Sequence, residues 1–163
     1  MECYVKTGGV FHSYNPDPDV YGMVHEFKVT DEASGASEPI ATVQVDISST
    51  NGIQIEGEMV SGAQTVAVRF SDQIVHENFV GHDIQVVRIS DELNLGDLQE
   101  WMDWTRAAGL QTPAPAQFLG GLNEMPAGST GYFNVILEPG RYALISEVPN
   151  TASKGLFKEF VVQ

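Results

Sequence analysis

The chain has 163 residues and a formal net charge of −14, from 22 acidic and 8 basic residues. A charge this negative repels phosphate groups, which argues against nucleic acid and anionic membrane surfaces as partners. The hydrophobic content of 42% is enough for the core of one domain, and no apolar run approaches the ~20 residues needed for membrane insertion as a helix. The single cysteine, Cys3, excludes a disulfide within the chain.

The two ends of the chain share a sequence pattern. Residues 22–29 read GMVHEFKV and residues 155–162 read GLFKEFVV. Upstream of these stretches, residues 1–5 can be aligned with residues 144–148, which places Cys3 opposite Ser146. Internal similarity of this kind indicates a repeated structural unit. The sequence therefore predicts that residues 1–30 are the C-terminal strands of one β-domain, and that residues 40–163 are a second copy with the same ending.

The segment between the two copies is predicted to be a linker. Residues 31–39 are small and polar, with nothing to bury in a core. Residues 10–21, within the first copy, form a loop in which proline, asparagine and aspartate favour turns. Met1 would lie inside a strand of the first copy, so we expect any targeting segment to lie upstream of it.

Short strands dominate the predicted second copy. Alternating apolar residues and turn signals such as Asn51-Gly52 and Glu138-Pro139-Gly140 are typical of an antiparallel sandwich or barrel. The predicted strands span residues 41–48, 53–58, 64–71, 82–90, 131–137, 141–148 and 157–162.

One segment, residues 94–108, is predicted to be helical. Asn94 is a suitable N-cap, and Gly109 ends the segment. We expect this helix to cap one end of the sandwich, with Trp104 to the side. Alternatively, Trp101 and Trp104 on adjacent turns could stack a sugar. The apolar stripe of the helix consists of Leu95, Leu98, Trp101, Met102 and Thr105.

The order Cys3, His12, Gly22-Met23 resembles the cupredoxins, the small blue-copper proteins. In that family a thiolate and two imidazoles bind copper, and a methionine thioether is the weak axial ligand. The resemblance implies an all-β, Greek-key β-sandwich with one inserted α-helix. It also implies a copper site in the first copy formed by Cys3, His12 and Met23, with a further histidine upstream of Met1.

The second copy departs from the cupredoxin ligand pattern. Ser146 stands where the family has cysteine, Leu156 stands where it has methionine, and residues 149–154 contain no histidine. Only His82, which opens a predicted strand, occupies a family ligand position. Because a hydroxyl cannot replace a thiolate for copper, we expect residues 40–163 to fold without metal and to hold no cofactor.

The resemblance implies the C-terminal part of a tandem copper-binding, electron-transfer protein. Such a protein would work in the periplasm or outside the cell, with a redox protein as partner. An unpaired edge strand at residues 22–30 would also favour a homo-oligomer.

Three alternatives stay open from the sequence. The first is a metal-free structural or protein-interaction module. The second is an enzyme with a pocket formed by His82 and the helix, although no nucleophile–base pair can be named. The third is a zinc or hard-ion site formed by His76 and His82 with Glu77 and Asp83, for which the spacing alone does not bring the four side chains together.

Overall fold

A computed structural model describes residues 35–77, 80–103, 105–106 and 112–163 of the chain. The chain divides into two units between Glu38 and Pro39. The described helix and strands all belong to the second unit, Pro39–Gln163. The predictions for residues 1–30, with Cys3, His12 and Met23, lie outside the described residues, as do residues 31–34 of the predicted linker.

The described part of the chain contains eight β-strands and one α-helix. The strands form two four-stranded sheets, ordered β2-β1-β3-β6 and β5-β4-β7-β8. β1 pairs with β3 in parallel, and the other described pairs are antiparallel. This confirms the all-β Greek-key sandwich with one helix. The elements are β1 Val43–Ser48, β2 Gly52–Glu56, β3 Gly62–Phe70, β4 Ile84–Ile89, α1 Leu95–Met102, β5 Gln117–Leu122, β6 Thr130–Leu137, β7 Gly140–Ile145 and β8 Phe157–Val162.

Alternation along the strands explains the main core. Side chains at every second position of a strand point to the same face of its sheet, so the apolar set of each strand meets that of the opposite sheet. The buried residues of this core include Val43, Val45 and Ile47 of β1, Val66, Val68 and Phe70 of β3, Ile84 and Val86 of β4, and Tyr142 and Leu144 of β7. Burial of each such side chain contributes about 1.5–3 kcal/mol.

The sequence did not predict β5, Gln117–Leu122. Its residues Phe118-Leu119-Gly120-Gly121-Leu122 lack alternation, and two of them are glycines. The strand pairs with β4 across an irregularity at Val86 and Val87. A Cβ atom on Gly121 would lie 2.0 Å from the Ile84 carbonyl oxygen. The pairing of β5 therefore depends on the close approach of the Gly121 backbone to β4, which a hydrophobicity pattern does not reveal.

Two predicted strands are shorter in the structure. β4 begins at Ile84, so His82 and Asp83 precede the strand instead of opening it. β7 ends at Ile145, so Ser146 and the residues after it belong to the connection to β8. The backbone of His82 is bonded to the side chain of Gln73 instead of a neighbouring strand.

The α-helix, α1, is also shorter than predicted. Asn94 is the N-cap as expected, and its Oδ1 accepts a hydrogen bond of 2.9 Å from the Gly96 amide. The helix ends at Met102, because the Asp103 carboxylate accepts hydrogen bonds from the amide (3.2 Å) and hydroxyl (2.5 Å) of Thr105. Such local bonds compete with helical ones. Thr105 is therefore exposed, and the predicted extension to residue 108 is wrong at the described positions 103, 105 and 106.

The helix covers the outer face of the second sheet and does not cap an end of the sandwich. Leu98 and Met102 belong to a second apolar cluster with Val87 and Ile89 of β4 and Ala143 and Ile145 of β7. These strand residues alternate with those of the main core, so they lie on the opposite face. The prediction that the helix caps an end of the sandwich was wrong, because the second sheet has an apolar outer face as well as an apolar inner face. Trp104 lies outside the described residues.

Two glycines join the two sheets at one edge of the sandwich. Gly52 lies in the turn that begins β2 and has φ +65°, and Gly155 precedes β8 with φ +70°. The Ile53 amide donates a 2.9 Å hydrogen bond to the Gly155 carbonyl. A Cβ atom on Gly52 would lie 2.2 Å from that same oxygen. Glycine is therefore required at position 52 by both its φ angle and the close approach.

We expect Gly52→Ala to lower the free energy of unfolding by about 2–4 kcal/mol, because strain at positive φ and a backbone clash act together. Urea denaturation of both proteins measures the loss. Gly128→Ala is the matched control, since Gly128 has φ +80° but no atom within 4 Å of the place that an added Cβ would take. That control should lose only about 1 kcal/mol, and equal losses would show that the approach to Gly155 is unimportant.

Candidate functional site

The backbone before β4 is held by the side chain of Gln73. The Gln73 amide nitrogen donates to the carbonyls of His82 (2.8 Å) and Met125 (3.0 Å), and its oxygen accepts from the His82 amide (2.6 Å). One residue earlier, the Gly81 amide donates a 2.7 Å hydrogen bond to Glu124. These bonds satisfy backbone groups that no strand pairs. They fix the position of His82 at one end of the sandwich.

His82 is fully buried, with 0% of its surface exposed. Its Nδ1 lies 3.3 Å from the Asp72 carbonyl oxygen and 3.5 Å from the Asp72 carboxylate. Its Nε2 is buried and has no hydrogen-bond partner among the described residues. The structure thus places the predicted ligand position in the interior, next to an acidic residue that sequence analysis did not single out.

A second histidine lies beside His82. The ring centres of His76 and His82 are 5.1 Å apart, and the rings are tilted by 45°. The Nε2 atom of His76 is also buried, and it has no partner in the part of the chain that the structure describes. The loop returns on itself here, since the His76 amide donates to the Val80 carbonyl at 2.9 Å. The two histidines that sequence spacing alone did not bring together are therefore neighbours in the fold.

Asp83 faces a different partner, Ser146. The carboxylate oxygen Oδ1 accepts a 2.5 Å hydrogen bond from the Ser146 hydroxyl and a 2.8 Å bond from the Glu147 amide. Asp83 is 2% exposed, and its Oδ2 is buried with no partner among the described residues. Burial raises the pKa of Asp83 to about 7, against the hydrogen bond from Ser146, and the charge of Glu147 adds to the rise. Sequence analysis missed this pair, because its members are 63 residues apart.

The connection from β7 to β8 is held by hydrogen bonds between its own residues. The Ser146 amide donates to the Leu156 carbonyl at 3.1 Å, and the Leu156 amide donates to the Thr151 carbonyl at 2.9 Å. The Thr151 hydroxyl donates to the Leu156 carbonyl at 2.7 Å. Lys154 donates to Glu77 at 2.5 Å and to the Pro149 carbonyl at 2.8 Å. Ser146 and Leu156 are thereby held side by side.

An open pocket of about 310 Å³ lies next to His82 and is lined by Gln73, Ile74, Val75 and Gly81 together with Glu124–Pro126. Ile74 and Val75 are 45% and 74% exposed. No residue of α1 lines this pocket, so it is not the predicted pocket between His82 and the helix. The end of the sandwich instead presents a small apolar rim.

Metal-ligand clusters and membrane-spanning helices are both absent from the described residues. No group of three or more His, Cys, Asp or Glu side chains there is arranged to hold a metal ion. No helix in the same part of the chain is long and apolar enough to cross a membrane.

Comparison with solved structures identifies the fold. No protein-family model and no curated protein matches the chain. Dithionite-reduced auracyanin from the photosynthetic bacterium Roseiflexus castenholzii matches with a TM-score of 0.51 and 13% identity, covering 74% of this chain and 94% of that one. Auracyanin B (TM-score 0.48, 19% identity, 80% and 95% covered) and rusticyanin from Thiobacillus ferrooxidans (0.42, 15%, 74% and 75%) are similar too.

These proteins are cupredoxins, and the first of them carries the fold comparison. The chain has a cupredoxin-like fold: two packed Greek-key sheets and one helix. At 13% identity the similarity concerns the fold alone.

The residues of this unit do not fit a blue-copper site. Such a site needs a thiolate, imidazoles and a thioether, whereas Ser146 follows β7 and Leu156 precedes β8. The Ser146 hydroxyl is already bonded to Asp83, and residues 147–155 contain no histidine. No electron-transfer step follows from these side chains, and His82 as a metal ligand stays a prediction.

We expect the free energy of unfolding to fall as the pH rises from about 4 to about 7. An aspartate in an unfolded chain has a pKa near 3.9, whereas burial raises the pKa of Asp83 to about 7. Between these values the folded state keeps a proton that the unfolded state has lost. The resulting stabilisation is complete below about pH 4 and is lost by pH 7, with a total on the order of 4 kcal/mol.

Urea denaturation over that pH range, with Asp83→Asn beside the unchanged protein, isolates this contribution. Burial lowers the pKa of His76, so His76 contributes in the opposite direction, but equally in both proteins. The difference in unfolding free energy between the two should change with pH. Parallel pH profiles would contradict the assignment.

Proposed function

We propose that this chain is the C-terminal part of a tandem cupredoxin-like protein that binds copper and transfers electrons. The copper would belong to the first copy, through Cys3, His12 and Met23 with a histidine upstream of Met1. The unit 40–163 would be a second copy without the blue-copper ligands. The observation that carries the proposal is the repeat, which aligns Cys3 with Ser146 and Met23 with Leu156.

The geometry of the second unit supports this alignment. Ser146 and Leu156 are hydrogen-bonded neighbours, although they are ten positions apart in sequence. A first copy with the same strand ends would place Cys3 beside Met23 in the same way. A thiolate next to a thioether, with an imidazole from the intervening loop, is the ligand combination of blue-copper centres.

The second unit also supports the remaining proposed copper ligand, the histidine upstream of Met1. The residue after His82 bonds to Ser146 through the Asp83 carboxylate at 2.5 Å. The strand entrance that carries His82 therefore lies beside the end of β7. In a first copy, the corresponding histidine would come from a strand upstream of Met1 and would lie beside Cys3.

The proposal extends to location and partner. A copper protein of this kind would work in the periplasm or outside the cell, with a redox protein as its partner. The net charge of −14 would favour a partner with a basic docking face. Partner binding at the apolar rim of Ile74 and Val75 also fits a second candidate function, a metal-free interaction module.

Titration with Cu(II), followed by visible absorption and EPR, tests the proposal. The chain is compared with a form extended upstream by one domain, each with and without Cys3→Ser. We expect an intense thiolate-to-copper band only in the extended form, and its complete loss on Cys3→Ser, because the band requires the sulfur ligand. A folded extended protein that stays colourless with Cys3 reduced would reject the copper proposal and favour the interaction module.

A further inference from the structure

Two buried imidazole nitrogens without partners require an explanation. The Nε2 atoms of His76 and His82 are both inaccessible to solvent, and neither has a hydrogen-bond partner among the described residues. Leaving a buried polar atom unsatisfied destabilises a fold, because the atom has lost its bonds to water. Two such atoms lie on neighbouring rings, in a loop that Gln73 fixes by three hydrogen bonds, and each calls for a partner.

The surroundings of His82 identify what kind of partner its Nε2 needs. Its Nδ1 lies beside two acceptors of Asp72, the carbonyl oxygen at 3.3 Å and the carboxylate at 3.5 Å. Either acceptor can take a hydrogen bond from Nδ1, and in that tautomer Nε2 carries a lone pair. A histidine whose other nitrogen faces a carboxylate or carbonyl is the usual form of a metal-binding histidine. The lone pair of His82 Nε2 is thus oriented for a cation.

The separation of the two rings fits one tetrahedral ion. With Zn–N bonds of about 2.0–2.1 Å, two imidazoles on a tetrahedral zinc have ring centres roughly 5 Å apart. The ring centres of His76 and His82 are 5.1 Å apart. The rings are tilted by 45° and not stacked, which is compatible with two ligands that approach an ion from different directions.

The charged groups nearest the two imidazoles are Lys154, Glu77 and Asp72. The charge of Lys154 is itself paired with Glu77 at 2.5 Å. Asp72 remains as the carboxylate next to the imidazoles.

We propose that His76 and His82 bind one Zn²⁺ through their Nε2 atoms, with water completing the tetrahedron. The site contains no sulfur and is separate from the blue-copper centre proposed for the first copy. It also differs from the zinc or hard-ion site considered from the sequence, because Glu77 bonds to Lys154 and Asp83 bonds to Ser146. With two protein ligands, the site binds zinc more weakly than a structural site with four.

The test uses the full chain with Cys3→Ser, His12→Ala and His25→Ala. The chain has four histidines and one cysteine, so this background keeps only the two histidines of the site. Isothermal titration with Zn²⁺ should give one ion per chain. His76→Gln should weaken binding at least tenfold, and Asp72→Asn should weaken it severalfold by removing the carboxylate beside Nδ1.

His76 lies in a partly exposed loop, so His76→Gln is expected to fold, which circular dichroism checks. NMR of the imidazole nitrogens gives a readout that a structural role would not produce: zinc should shift the Nε2 resonances and not those of Nδ1. Absence of zinc binding, unchanged affinity in His76→Gln, or zinc on Nδ1 would each overturn the proposal. The copper proposal is unaffected by any of these results, because the Cys3→Ser background lacks that centre.

Discussion

The hydrogen bonds of the Asp83 carboxylate connect the chain segments at the end of the sandwich where His82 lies. Through them the entrance to β4 is joined to the end of β7 by the Ser146 hydroxyl and the Glu147 amide. Asp83 is adjacent to His82, and Ser146 is bonded to Leu156. A single buried carboxyl group thus sets the relative positions of the two chain segments that carry ligands in cupredoxins. In this unit the junction is formed by the oxygen atoms of Asp83 and Ser146 and the amide of Glu147.

The alternation of apolar residues was sufficient to predict most of the sandwich. It located seven of the eight described strands and the inward faces of β1 and β3, because burial on one face imposes a period of two. It did not reveal β5, whose pairing depends on the absence of a side chain at Gly121. The alternation also did not predict the length or position of the helix. The helix ends where Asp103 bonds to Thr105, and it packs against the outer face of β4 and β7.

The candidate site was only partly predictable. His82 could be singled out from its place before a β-branched run, but its neighbours could not. Asp83 and Ser146 meet over 63 residues of sequence. His76 lies beside His82 in a loop where the Gln73 side chain bonds to the backbone of His82 and of Met125. Contacts of this kind depend on single hydrogen bonds between segments, and these leave no periodic trace in a sequence.

The turn Glu138-Pro139-Gly140 has a consequence for how the domain assembles. It joins β6 of the first sheet to β7 of the second, so neither sheet can be completed by a continuous stretch of chain. β6 pairs with β3, which lies far back in the sequence, with Leu137 opposite Gly62. Chains dominated by such non-local pairings fold slowly, in roughly milliseconds to seconds. Completing either sheet therefore requires chain segments that are interrupted in sequence by a strand of the other sheet.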